Sequence, residues 1–142
     1  MKISTRGRYG LRVMVALARR YGGSPMTAAA LSEEQNISLK YLESILAALS
    51  KAGLVETRRG ASGGHAISKP PERCTVGEVL RALEGSLNFV ECLDRPELCA
   101  RREECRTYSV WKRMSDAAAA VADATTLADL IEEENSADNY CI

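Results

Sequence analysis

The chain has 142 residues, 46% of them hydrophobic, with a single Trp and a single Phe, which bounds it to one compact unit, or one small domain with an appended element, whose small core is expected to rely on a partner chain. No run of 18 apolar residues occurs, and the N-terminus mixes Lys2, Arg6, Arg8 and Arg12 with polar residues. This predicts neither a membrane span nor a secretory signal, and hence a cytoplasmic protein.

The net charge of zero hides an asymmetry: residues 1–70 carry 11 Lys/Arg against 4 Asp/Glu, and residues 71–142 carry 8 against 15. A basic half is the electrostatic footprint of a nucleic-acid binder; an unevenly solvated surface is the bland alternative. Residues 5–21 read as a first helix with Leu11, Met14, Val15 and Ala18 on one face. Arg6, Arg8 and Arg12 near its start oppose the helix dipole, so they are expected to serve an outside anion such as DNA phosphate. Gly22-Gly23-Ser24-Pro25 ends the helix. A short second helix is expected from its cap Thr27 to about Gln35, with Asn36-Ile37 as the turn to a third.

Residues 38–68 organise the rest. Leu42, Ile45, Leu46 and Leu49 form one apolar stripe at helical spacing, with Ser38 as the N-cap and Gly53 as the stop. Lys40, Glu43 and Ser44 then face outward, with Ser38 and Leu39 at the N-terminal tip. A strand from Leu54 to Arg58, the turn Arg59-Gly60-Ala61-Ser62-Gly63-Gly64 and a strand from His65 to Lys69 follow. A helix followed by a hairpin with a basic, Gly-rich tip is the layout of a winged helix-turn-helix. There the helix enters the major groove and the wing reaches backbone or minor groove. Arg58 and Arg59 suit a narrow minor groove, and Gly60, Gly63 and Gly64 permit the tight turn. Glu43 facing DNA is repelled unless it accepts from a base amino group, cytosine N4 being the usual partner; a solvated surface Glu is the alternative. His65 is expected to pack at the base of the wing.

Pro70-Pro71 is the expected hinge out of the DNA-binding domain. Thr75-Val76-Gly77-Glu78 matches a capping box, so a helix is predicted from there to about Leu83, stopped by Gly85, with Cys74 before it as a small buried residue. Residues 86–106 read as irregular, interrupted by Pro96, and contain three of the five cysteines: Cys92, Cys99 and Cys105, spaced Cys-x6-Cys-x5-Cys. In a cytosolic chain such a cluster points to metal or redox chemistry more than to disulfides. Arg95, Arg101, Arg102 and Arg106 would favour thiolates and offset an anionic cluster. Residues 107–123 predict a long helix. Trp111, Met114, Ala118 and Val121 fall at coiled-coil spacing and read as a homodimer seam, with packing against the chain's own domain as the alternative. Thr126-Leu127-Ala128-Asp129 starts a last helix burying Leu127, Leu130 and Ile131. The acidic tail after Glu132 is expected to be mobile and carries Cys141. The fold class is mainly α with a small β-hairpin wing (α+β). The expected organisation is a winged helix-turn-helix domain at 1–70, a connecting helix and cysteine-containing sensor loop at 71–106, a dimerisation helix and short terminal helix at 107–134, and a tail at 135–142.

The runs I-S-L-K-Y-L-E-S-I-L (37–46), K-A-G-L-V (51–55) and R-G-x-x-G-G (59–64), with the opening M-K-I-S-T-R-G-R-Y (1–9), resemble the Rrf-type bacterial winged-helix transcriptional regulators, IscR/NsrR-like. The resemblance runs from residue 1 to about Leu130. It implies a dimer on a double-stranded DNA operator, contacted by Lys2, Thr5, Arg6, Ser38, Leu39, Lys40, Tyr41, Glu43, Arg58, Arg59 and Gly60, with Glu43 discriminating between sites. It also implies a cluster on Cys92, Cys99 and Cys105, with 2Fe–2S favoured over 4Fe–4S. The fourth ligand stays open, because Tyr108 stands where relatives carry the ligating His and Arg8 where others carry an acid. Cys141 is a thiol able to reach the site, and His65, the only histidine, lies in the wing.

Three readings compete. The first is a transcriptional regulator, read as a repressor, that senses iron–sulfur status, redox state or nitric oxide. The second is a cluster-free regulator with a thiol switch or small-molecule effector. The third has a structural zinc site. An enzyme is not expected, since the chain has no catalytic His–Cys or carboxylate pair and no phosphate loop.

Overall fold

The computed structural model describes residues 2–138. Its elements are α1 (Thr5–Ala18), α2 (Ala28–Gln35), α3 (Leu39–Lys51), β1 (Val55–Arg58), β2 (Gly64–Ile67), α4 (Val76–Glu84), α5 (Glu91–Asp94), α6 (Tyr108–Ala124) and α7 (Leu127–Asp138). Short 3-10 turns at Pro71–Arg73, Pro96–Leu98 and Arg102–Glu104 join them. The described residues are thus mainly helical with one two-stranded antiparallel hairpin, the winged layout that the sequence predicts.

The helix starts follow their caps. Thr27 accepts from the Ala30 N–H and Ser38 from the Tyr41 N–H, while Thr75 and Glu78 close a reciprocal capping box. Each satisfies backbone donors that the first helical turn leaves unpaired, worth about 1 kcal/mol. Asn36 takes the left-handed conformation at φ 53°, which turns the chain from α2 into α3.

One core gathers Val13, Met14 and Leu17 of α1, Leu31 of α2, the α3 stripe Leu42, Ile45, Leu46 and Leu49, and Val55 and Ile67 of the wing. Cys74, Val79 of α4 and Leu127 of α7 belong to the same core, so packing continues across positions 70 and 106. The expected hinge is a packed turn: Pro71 is buried, and Lys69 at the wing exit pairs with Glu78 of α4 at 2.5 Å. The final helix begins as predicted, with Thr126 and Asp129 exchanging hydrogen bonds. It then continues to Asp138, so residues 135–138 are helical where a tail was expected. Arg19, the C-cap of α1, pairs with Glu134, which ties α7 to the domain just before that extension. Cys141 lies outside the described residues.

The hairpin pairs Val55 with Ile67 and Arg58 with Gly64, leaving residues 59–63 as its tip. The base of the wing is tied to the segment before α2 by two backbone hydrogen bonds between Met26 and His65. Gly64 makes that tie possible. It sits at φ 150°, and a Cβ there would lie 2.5 Å from the Met26 carbonyl oxygen. Because that obstacle is backbone, Gly64→Ala is expected to lower stability by ~1–3 kcal/mol, read as an earlier urea midpoint. A midpoint equal to wild type would show that the wing is not anchored there.

Candidate nucleic-acid interface and cysteine segment

With Leu42, Ile45, Leu46 and Leu49 buried, α3 turns Lys40, Glu43 and Ser44 to solvent. Ser38 and Leu39 are exposed at its N-terminal tip, Leu39 by 45% despite being apolar. Lys2 and Thr5 are exposed beside the start of α1, and Arg59 and Gly60 are exposed at the wing tip. Other expected contacts are engaged within the chain. The Arg58 guanidinium holds Glu56 at 2.7 Å. Tyr41 is half-buried, edge-on to Tyr9 at 6.2 Å between ring centres. Arg6 reaches across to donate to the Ser44 carbonyl at 3.3 Å, with its Nε buried.

The basic start of α1 therefore differs from expectation. Arg8 donates to Thr5, and Arg12 donates to the Gln35 carbonyl at 2.9 Å while lying over the Tyr9 ring. The anion at this helix start belongs to the chain itself: Glu84 of α4 accepts from the Ser4 N–H at 3.1 Å. Carboxylate at a helix N-terminus is the favourable pairing. Its source lies 80 residues away, so no local pattern could have revealed it.

His65 is half-buried at the wing base, as expected, with Nδ1 3.1 Å from the Thr57 hydroxyl. Burial lowers its pKa and the Glu43 carboxylate opposes that shift.

Cys92 lies in α5, while Cys99 and Cys105 follow the 3-10 turns; all three are half-buried free thiols. Among the described residues no group of three His, Cys, Asp or Glu side chains is gathered to hold a metal ion. The donor types and their accessibility fit a thiolate-bound cluster, which requires the short turns of 91–106 to rearrange. An open cavity of about 750 Å³ lies beside Cys99, lined also by Pro96, Arg102, Glu104 and Tyr108. Tyr108 lies under the Arg102 guanidinium, 5.4 Å from the ring centre. The Thr107 hydroxyl, 3.4 Å from Sγ, and the Thr107 backbone hold the Cys105 thiol below its ordinary pKa. Burial pushes Cys74 up to about 11.

Both ends of this segment are fastened to α6. Ser115, the one buried polar residue among those described, accepts from the Phe89 N–H at 3.0 Å and donates to the Trp111 carbonyl at 2.9 Å. The other end runs directly into the α6 N-cap, Thr107. Ser115 was missed in the sequence, where its only signal is a serine within an alanine-rich helix. The opposite side of α6 is open: Val110 is 40% exposed, Met114 41% and Val121 69%. Trp111 and Ala118, expected on the same seam, are half-buried and turned toward the domain. The apolar face is thus rotated relative to the 3–4–3 pattern.

A family model described as Rrf2, iron-dependent transcriptional regulator, matches residues 3–133. The chain belongs to the Rrf2 family of transcriptional regulators. It is 42% identical over 130 residues to the HTH-type transcriptional regulator CymR of Bacillus subtilis (strain 168), covering 92% of this chain and 89% of that one. The solved structure of CymR, the global cysteine regulator of B. subtilis, superposes with a TM-score of 0.77 at 39% identity, covering 94% and 98% of the two chains. That of T. potens IscR superposes with a TM-score of 0.79 at 36% identity, covering 96% and 90%. Like its Rrf2 relatives this chain is a DNA-binding regulator rather than an enzyme. No helix among the described residues is long and apolar enough to cross a membrane.

The two thiol environments predict an order of reactivity, since the thiolate is the nucleophile. With limiting iodoacetamide at neutral pH, peptide mapping should find Cys105 alkylated well before Cys74, which should react only on unfolding. Comparable rates would contradict the burial of Cys74.

Proposed function

We propose that this regulator binds its operator as a homodimer and that residues 91–106 sense iron–sulfur or redox status through a cluster on Cys92, Cys99 and Cys105. The observation that carries the reading is the fastening of that segment to α6 at Ser115 and Thr107. When bound, a cluster supplies metal–thiolate bonds that depend on its redox state. The chain does the rest. Drawing three thiols together shortens a run whose ends are fixed on α6, so the strain falls on α6 and on its bidentate ion pair, Arg81 to Asp123, with α4. The Met114/Val121 side of α6 is the proposed dimer seam, so the same strain reaches the relation between protomers. A two-fold dimer would present two copies of α3 to two half-sites. Lys40 would meet phosphate, Glu43 a base edge and Arg59 the wing's groove.

A specific observation favours a second reading. Hydrogen bonds from Thr107 hold the Cys105 thiol below its ordinary pKa, and the likeness to a global cysteine regulator extends over nearly the whole chain. A thiol switch or a small sulfur-containing effector would then act at the same segment.

Anaerobic reconstitution separates these readings. The first predicts a coloured protein with iron and sulfide bound stoichiometrically, lost in each of Cys92→Ala, Cys99→Ala and Cys105→Ala but retained in Cys74→Ala. A colourless protein, with or without zinc, would contradict it. Val121→Glu should convert the dimer to monomer in light scattering and abolish operator binding; a dimeric Val121→Glu protein would show the seam to be elsewhere.

A further inference from the structure

Between α3 and the wing lies a groove of about 290 Å³, walled by Glu43, Ala47 and Ser50 on one side and by Thr57 and His65 on the other. The chain's single histidine therefore shares a cavity with the outward acid of the recognition helix. Its backbone is immobilised by both hydrogen bonds to Met26, and its Nδ1 is committed to Thr57. Nε2 is the ring nitrogen left for another partner.

We propose that His65 is a specificity-determining residue of the DNA-reading surface. Held at the groove wall, its imidazole governs whether the Glu43 carboxylate is available to a base edge or is drawn to the wing. The inference rests on the reading of α3 as the helix that contacts bases. With neutral imidazole, Glu43 has no cationic partner across the groove and can accept from a cytosine amino group. With imidazolium, the carboxylate gains an opposite charge inside a partly desolvated cavity and turns toward His65. Discrimination at the corresponding base pair then weakens, and repulsion from phosphate is relieved.

The charged surroundings are simple. Among the described residues, the charge that opposes the burial of His65 is that of Glu43 of α3. From β1 it meets Thr57, and the nearby Glu56 and Arg58 neutralise one another. From β2 and the segment before α2 it meets backbone, at Met26. Beyond the strand, Lys69 is held by Glu78. Burial lowers the imidazole's pKa and Glu43 opposes that shift, so the paired state belongs to the acidic side.

The test uses the full chain with isotope-labelled histidine, which gives one imidazole signal. Titrated without DNA, Glu43→Gln should move the His65 midpoint to lower pH, because it removes a charge that raises it. Duplexes are then selected by the wild type at pH 8 from a randomised library, and single-base variants are made at each selected G·C pair. By fluorescence anisotropy the wild type should discriminate among them several-fold less just below the His65 midpoint than at pH 8. His65→Phe should discriminate equally at both pH values, and His65→Gln, which can retain the Thr57 hydrogen bond, should do the same. An unmoved midpoint in Glu43→Gln overturns the proposal, as does pH-dependent discrimination that survives in either His65 variant. A shifted midpoint with no duplex enriched by selection would remove the DNA-reading role of α3, and the proposal with it.

Discussion

Burial of Leu42, Ile45, Leu46 and Leu49 fixes the rotation of α3, and which of its side chains reach solvent depends on that rotation. Each of these side chains is at most 3% exposed, a burial worth roughly 1.5–3 kcal/mol apiece. The hydrogen bond from Arg6 to the Ser44 carbonyl adds about 1 kcal/mol. Apolar packing therefore sets the orientation, and Arg6 refines the register of α3 against α1. Lys40, Glu43 and Ser44 lie outside because their neighbours cannot.

A series of polar ties carries this domain into the second half of the chain. Lys69 links the wing exit to Glu78, and Glu78 also caps α4. Glu84, at the other end of α4, accepts from the start of α1. Arg81 grips Asp123 on α6 through two hydrogen bonds of 2.5 and 2.9 Å. Gly77 allows that approach, since a Cβ there would collide with the Asp123 carboxylate. Ser115 then holds the entry to the cysteine segment. Exposed ion pairs of this kind add little stability individually. Their contribution is geometric: α4 cannot shift against α6 without disturbing α1 or the wing.

The fold was legible wherever local chemistry decides it. The α3 stripe, the caps Thr27, Ser38 and Thr75 and the glycine-bearing wing tip are short-range signals, and the structure follows them. Long-range pairings were not legible. Arg12 on Gln35, Glu84 on Ser4 and Arg58 on Glu56 each turn an apparent free charge into an internal contact, and a charge in sequence does not reveal its partner. The open face of α6 was legible as an apolar pattern but not in its rotation, because Trp111 and Ala118 fit either the seam or the domain. Cysteine spacing identifies donors without their arrangement, since short turns impose no periodicity on Cys92, Cys99 and Cys105.

On the proposed reading, the state of residues 91–106 alters the relation between the two α3 helices of a dimer. A cluster can shift that equilibrium only by binding one arrangement more tightly than the other. The direct measurement is the distance between α3 helices, by pulsed electron resonance between spin labels on a non-canonical residue replacing the exposed Lys51 in both protomers. Cluster-loaded and cluster-free protein should give distributions with different means. Superimposable distributions from a fully loaded and an empty dimer would contradict the account.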